Sequence, residues 1–146
     1  MQITKEFEQL TMDKIPMLHH DVISIHHKAM ALEAFLLIHR KQVSGIGLLD
    51  DDGKLVGNVS GSDIKRIGLT GQNIKRLREP IDVFLDRKDS THVYVVGEND
   101  TLVEALQIMR ETHVHRVYIV DPATQKPTGI LSQTDVMKLF SSRNIL

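Results

Sequence analysis

Gly129-Ile130-Leu131-Ser132-Gln133-Thr134-Asp135 has a near copy 72 positions earlier, Gly57-Asn58-Val59-Ser60-Gly61-Ser62-Asp63. Each copy reads as a short apolar strand that reaches a hydroxyl residue and turns into a helix with an aspartate in its first turn. Outward from this stretch, Glu33 aligns with Glu104 at an offset of 71, which brings Ala34 onto Ala105, Val43 onto Val114 and Asp50 onto Asp121. One extra residue in the Pro122 to Lys126 turn then moves the offset to 72. An ungapped register of about twenty positions followed by a single turn insertion marks an internal duplication.

Each half is expected to run strand, helix, strand, strand, helix. In the first half the strands are Val22 to Ile25, Gly45 to Leu49 and Leu55 to Val59, the last two joined by the turn Asp50-Asp51-Asp52-Gly53. The first helix spans about Ala29 to Arg40, with a wide apolar stripe through positions 32, 35 and 36 with Ala31 and Ile38 beside them, and His39, Arg40 and Lys41 near its negative end. Ser60 opens a second helix through about Ile67. Gly68, Gly71 and Pro80 punctuate a linker with a helical turn at Ile74 to Leu77. The second half replays this with strands at Val93 to Val96, Val117 to Val120 and Thr128 to Leu131. Its helices are Thr101 to Thr112, apolar at 102, 105, 106 and 109, and Asp135 to Phe140. A short helix at Lys5 to Leu10 precedes both halves and ends before Pro16.

The composition is that of a folded protein, 41% hydrophobic and 25% charged over 146 residues, enough for one domain or two half-sized units sharing a core. Lys plus Arg is 18 against 19 for Asp plus Glu, so no broad field draws the chain to nucleic acid or an anionic membrane, and neither is expected as a partner. Any bound anion must be met by a local cation. The chain has no cysteine, which excludes disulfides and thiolate chemistry. With no basic-then-apolar signal at the N-terminus, the expected location is cytoplasmic, the nucleus being the alternative.

Ser60-x-x-Asp63 and Ser132-x-x-Asp135 have two readings. Structurally, each is a capping box in which Ser and an acid satisfy the free N–H groups of a helix start. Functionally, the carboxylate accepts hydrogen bonds from the neighbouring hydroxyls of a ribose, and the hydroxyls of Ser60, Ser62, Ser132 and Thr134, with helix N–H groups, serve a phosphate. Repetition at the same place in both halves favours the second reading for at least one of them. A carboxylate beside a phosphate needs a cation, and His115-Arg116 supplies one where the first half has Ser44 and Gly45.

Other motifs fail. The eight histidines match no strong zinc spacing and read as surface or loop residues. Asp50-Asp51-Asp52-Gly53 lacks the later acid of a calcium loop, and Gly45-x-Gly47 lacks the third glycine of a dinucleotide fingerprint. Lys75-Arg76-x-Arg78 reads as a solvated helical face. No nucleophile stands beside a base and no acid pair is set for hydrolysis, so catalysis is not expected.

The pattern Thr101-Leu102-Val103-Glu104-Ala105-Leu106, Val114-His115-Arg116-Val117-Tyr118-Ile119-Val120-Asp121 and Gly129 to Asp135 resembles a cystathionine-β-synthase (CBS) domain. The first half matches the same template at Ala34, Val43, Ser44, Asp50, Gly57, Ser60 and Asp63. Together they resemble a tandem CBS pair, and Val114-His115-Arg116 is most similar to the second CBS pair of the γ regulatory subunit of AMP-activated protein kinase. The resemblance implies an α/β (α+β) fold: two pseudo-twofold-related repeats, each a short sheet with two helices, packed sheet to sheet. Residues 1–146 form one module, with repeat 1 at 11–67, a linker at 68–80 and repeat 2 at 81–146.

It further implies a regulatory module that binds AMP, ADP or ATP, requires no cofactor, and acts through a homodimer, another CBS pair, or a kinase or other regulated protein. The favoured nucleotide site comprises Ser60, Ser62, Asp63, Val93, Tyr94, Val114, His115 and Arg116. A second comprises Val22, Ile23, Ser44, Ser132, Thr134 and Asp135, with backbone groups at 22–23 and 93–94 reading the base. Leu18 departs from the γ subunit, where a ligand-touching threonine stands. The alternatives are a scaffold module that dimerises without sensing, and a pair that binds S-adenosylmethionine, whose sulfonium does not need Arg116.

Overall fold

A computed structural model describes residues 5–67, 73–86 and 93–142. The glycine punctuation at Gly68 and Gly71 lies outside them, as do the N-terminal residues 1–4 and the ends of the regions read as linker and second repeat. The helices are α1 (Lys5–Glu8), α2 (Ala31–Lys41), α3 (Ile81–Leu85), α4 (Leu102–Thr112) and α5 (Gln133–Ser142). The strands are β1 (Ser24–His26), β2 (Gly45–Leu49), β3 (Leu55–Ser60), β4 (Val95–Gly97), β5 (Arg116–Val120) and β6 (Pro127–Ser132).

They form two three-stranded sheets, ordered β1-β2-β3 and β4-β5-β6, each with a parallel first pair and an antiparallel second pair. The described residues fall into two compact units. One is the chain through Val22 together with Tyr94 onward, and the other is Ile23 to Val93. Units and sequence repeats are offset, because the first residues of each repeat belong to the unit built on the sheet of the other repeat. Met12, Ile15 and Leu18 pack with Val117, Ile119 and Leu131, whereas Ile81, Phe84 and Leu85 pack with Ile46, Leu48 and Val59.

The two crossings use the same backbone device. The N–H of Leu102 donates to Leu10 O at 2.8 Å and that of Met12 to Asp100 O at 2.9 Å. In the other unit, Ala31 N–H donates to Glu79 O at 2.8 Å and Ile81 N–H to Ala29 O at 2.7 Å. Ala31 and Leu102 begin α2 and α4, so these bonds satisfy a helix-start N–H that has no partner within the helix. Thr101 adds a reciprocal capping box with Glu104, at 3.0 and 3.1 Å, whereas Met30 caps α2 with no side-chain bond.

Four expectations are corrected. The buried stripe of α2 is Ala31, Ala34, Phe35 and Ile38, while Leu32 and Leu36 are 40% and 39% exposed. Two adjacent stripes satisfy the 3.6-residue period, and packing selected the one that matches 102, 105, 106 and 109 of α4. Strands β1 and β4 begin about two residues later than expected, because their ladders to β2 and β5 start at Ser24 and Val95. Gly61–Ile67 is a 3-10 helix, and so is Asn73–Arg78. Nor is the Lys75-Arg76-x-Arg78 face wholly solvated. Arg76 lies 4.9 Å over the Phe84 ring, donates to Phe84 O at 2.7 Å and faces Glu79 at 3.6 Å, so stacking and a carbonyl hold its guanidinium.

The hairpin turns agree with the sequence reading. Asp50 Oδ1 accepts from the N–H groups of Asp52 and Lys54, both at 2.9 Å. Asp121 Oδ1 accepts from Ala123 and Thr124 at 2.8 and 3.0 Å, and these bonds hold its carboxyl below the usual carboxylate range.

Gly129 decides how one crossing segment seats. A Cβ there would stand 2.3 Å from the carbonyl oxygen of Leu18, a backbone atom that cannot give way without moving the Pro16–Leu18 turn. Gly129→Ala is expected to cost about 1–3 kcal/mol, and Thr101→Ala about 1 kcal/mol through the lost cap. Both losses are read from urea denaturation midpoints at constant m-value.

Candidate functional site

Strands β3 and β6 end at Ser60 and Ser132, paired in register with Gly45 and Arg116, the first residues of the neighbouring strands. The next residue pins the turn: Gly61 N–H donates to Ser44 O at 2.9 Å and Gln133 N–H to His115 O at 3.0 Å. Each aspartate then folds back onto its serine. Asp63 Oδ2 accepts from Ser60 N–H at 2.8 Å and Ser60 Oγ at 3.2 Å, and Ser60 Oγ lies 2.8 Å from Ser62 Oγ. Asp135 Oδ2 accepts from Ser132 N–H and Oγ, both at 2.9 Å, and its own N–H donates to Ser132 Oγ at 3.2 Å.

The capping reading is therefore realised in both turns. A ribose cannot have the whole carboxylate to itself, because one oxygen is already held by two serine donors. In Asp135 the other oxygen, Oδ1, carries no hydrogen bond among the described residues. The serines and aspartates are half-buried, and Ser62 and Thr134 are exposed. Such a turn combines a fixed acceptor with hydroxyl donors, a set that suits a vicinal diol beside an anion.

The residues of the favoured site divide between the two units. Ser60, Ser62, Asp63 and Val93 belong to the β1-β2-β3 unit, as do Ser44 and Ile23, whereas Tyr94, Val114, His115 and Arg116 belong to the β4-β5-β6 unit with Val22, Ser132, Thr134 and Asp135. Within the units, Ser44 O accepts from Gly61 N–H next to Ser60, His115 O accepts from Gln133 N–H next to Ser132, and Arg116 pairs in register with Ser132. Ile23 packs against the core of its unit, and Tyr94 and Val114 against that of theirs. The carbonyl of Ile23 accepts from Gly47 N–H at 3.0 Å and that of Tyr94 from Tyr118 N–H at 2.9 Å, so the sheets already use both. Leu18 is fully buried, and its side chain is core.

Several histidines are spent on local partners. His26 Nε2 meets Asp51 Oδ1 at 2.6 Å, and His27 Nδ1 meets Asp82 Oδ2 at 3.0 Å. The His26 contact holds the Asp51 carboxyl below its ordinary range. Among the described residues no three His, Cys, Asp or Glu come together to hold a metal ion.

Sequence reasoning missed Tyr118. It shares the alternate face of β5 with Arg116, opposite Val117 and Ile119, and is 1% exposed. Burial raises its phenol from 10.0 to about 12, against the opposing charge and hydrogen bond of Arg116. The signal available in the sequence was the two-residue spacing from Arg116.

A raised folded-state value means that the phenol's contribution to stability is fully present below pH 10 and is lost as pH rises through about 12. Stability is therefore expected to fall more steeply between pH 10 and 11.5 in the native chain than in Tyr118→Phe, measured by denaturation at stepped pH.

A family model for the CBS domain matches residues 13–69 and 87–142. Protein SDS23 of Kluyveromyces lactis is 29% identical over 142 residues, covering 82% of this chain and 27% of its own length. The chain spans less than two fifths of the curated relatives it matches. Among solved structures, the CBS domain pair of protein MJ0100, in complex with 5′-methylthioadenosine and S-adenosyl-L-methionine, has a TM-score of 0.70 at 20% identity, covering 92% of this chain and 98% of that one. MJ1225 of Methanocaldococcus jannaschii, a proposed archaeal homolog of g-AMPK, has a TM-score of 0.73 at 13% identity, covering 88% of this chain and 50% of its own. No helix among the described residues is long and apolar enough to cross a membrane. With both halves matched by the family model and two three-stranded sheets of the same build, the chain belongs to the CBS domain family as a tandem pair.

Proposed function

We propose that this CBS pair is a regulatory module that binds an adenine nucleotide, AMP, ADP or ATP, and passes its bound state to a protein partner. The observation that carries this reading is the repeated turn, in which Ser60 fixes Asp63 and Ser132 fixes Asp135 with the same hydrogen bonds. Two preset acceptors with flanking hydroxyls suit adenosine riboses. The adenosyl compounds held by the MJ0100 pair support an adenosine-type ligand.

Arg116 is our choice for the phosphate, because a guanidinium can fork onto two phosphate oxygens while Ser44 offers one neutral bond. On this reading, and on the sequence resemblance of Val114-His115-Arg116 to a CBS pair of the γ subunit of AMP-activated protein kinase, we assign the stronger site to Asp63 and the weaker to Asp135. Signalling requires only differential affinity. A nucleotide that prefers one arrangement of the partner complex shifts its population by that preference and no more. The exposed Leu32 and Leu36 of α2 and Val103 of α4 offer apolar surface to a second copy or another CBS pair. A kinase or other regulated enzyme is the downstream partner we propose.

The MJ0100 complex also favours a second reading, binding of S-adenosylmethionine. The charge at the ligand separates the two. Titration calorimetry is expected to show AMP binding in the millimolar range or tighter, weakened about tenfold or more by Arg116→Ala, with S-adenosylmethionine indifferent to that change. Asp63→Ala is expected to cost more AMP affinity than Asp135→Ala. No binding by AMP, ADP or ATP would overturn the nucleotide reading, and equal losses would overturn the ranking. Mass in solution with and without nucleotide reads the self-association.

A further inference from the structure

His26 closes β1 and His27 follows it, their ring centroids 4.7 Å apart, and each imidazole meets a carboxylate from a different element. His26 Nε2 lies 2.6 Å from Asp51 Oδ1 in the turn between β2 and β3, and His27 Nδ1 lies 3.0 Å from Asp82 Oδ2 in α3. An ionised carboxylate only accepts, so these two nitrogens carry the hydrogen. The second nitrogens differ. His26 Nδ1 accepts from Lys28 N–H at 3.1 Å, whereas His27 Nε2 has no hydrogen bond among the described residues. A further proton on His26 would displace the Lys28 N–H, while His27 can take one at Nε2 with no bond lost. Asp82 is also the better fixed acid, since its Oδ1 accepts from Val83 N–H at 2.7 Å and its side chain is 38% exposed against 91% for Asp51. The charged and titratable groups around His27 are Asp82 from α3, His26 from β1, and Asp51 of the turn, whose carboxyl also feels Lys28.

Asp82 belongs to a crossing segment. Its N–H donates to His27 O at 3.1 Å, beside the bond from Ile81 N–H to Ala29 O. In the other unit Asp13 N–H makes the matching bond to Glu98 O at 2.9 Å, beside that from Met12 N–H to Asp100 O. The same backbone joint therefore carries an imidazole and a carboxylate in one unit and two acidic residues in the other. We propose that His27 and Asp82 form a proton-strengthened clasp on the crossing segment of the Ile23 to Val93 unit, a pH-sensitive device that the twin joint lacks. A proton arriving at Nε2 leaves the Nδ1 hydrogen on Asp82 and turns a bond from a neutral imidazole into an ion pair, which is stronger. Imidazole is the side chain whose ordinary charge change falls between pH 5 and 8. Acid therefore tightens this crossing until the carboxylate itself is protonated. The clasp does not depend on the nucleotide reading.

Two measurements test it. Nitrogen-15 spectra of the wild-type imidazoles are expected to show neutral His27 protonated at Nδ1 and bare at Nε2, with His26 the reverse. A neutral His27 that is bare at Nδ1 overturns the clasp without any variant being made. Hydrogen exchange then reads its strength, as the ratio of rates in Asp82→Asn and wild type at one pH. For the Ile81 and Asp82 amides this ratio is expected to rise about threefold from pH 8 to pH 6, while the Met12 and Asp13 amides of the twin joint stay level. A ratio that does not change with pH, or an equal rise at Met12 and Asp13, overturns the device.

Discussion

The first backbone N–H of each long helix is satisfied by chain that arrives from elsewhere. Ala31 donates to Glu79 and Leu102 to Leu10, and each crossing segment returns a bond to the carbonyl two residues before the helix, Ala29 and Asp100. An unmet N–H at a buried helix start costs about 1–3 kcal/mol, so neither helix is complete within its own repeat. Once the crossing segments are in place, their side chains follow into the core. Met12, Ile15 and Leu18 enter one unit, and Ile81, Phe84 and Leu85 the other. The space at Gly129 is part of the same constraint, since Leu18 can reach the sheet only where no Cβ stands.

On this frame the Ser-x-x-Asp turn acquires two duties in one side chain. The Oδ2 atom of each aspartate closes the start of a helix, so the carboxylate is held in one orientation by the fold itself. In Asp135, a ligand that used Oδ1 would meet an acceptor already held in place, with less ordering left to do on binding. The two repeats are alike in this turn and unlike beside it. Arg116 and Tyr118 stand where Gly45 and Gly47 leave bare backbone, so the duplication provides two similar turns and a cationic side chain at the strand start beside only one of them.

The hairpins, the turn serines and aspartates, and the repeat register were legible in the sequence because each rests on local chemistry: strand alternation, an Asp folding onto nearby N–H groups, a hydroxyl at a helix start. Reading α2 alone gave too wide a stripe, which took in Leu32 and Leu36 along with Ala31, Phe35 and Ile38 and left out Ala34. The register with α4, at the same offset, points to Ala31, Ala34, Phe35 and Ile38, which are the buried residues. The information was present in the repeat and absent from the single helix. Arg76 misled for a different reason, since nothing local to Lys75-Arg76-x-Arg78 reveals that Phe84 will lie beneath it.

By itself the sequence determined the duplication, the order of strands and helices, and the residues at each turn, since these depend on contacts a few positions apart. Only the tertiary structure decided which segment completes which unit, that one oxygen of each aspartate is already committed, and that Tyr118 is buried. Those outcomes depend on groups far apart in the chain, or on the facing side of a sheet. Gly129 and Asp135, in the stretch that first revealed the repeat, show both kinds. Their spacing could be read directly, whereas the carbonyl of Leu18 against Gly129 is a contact that only folding creates.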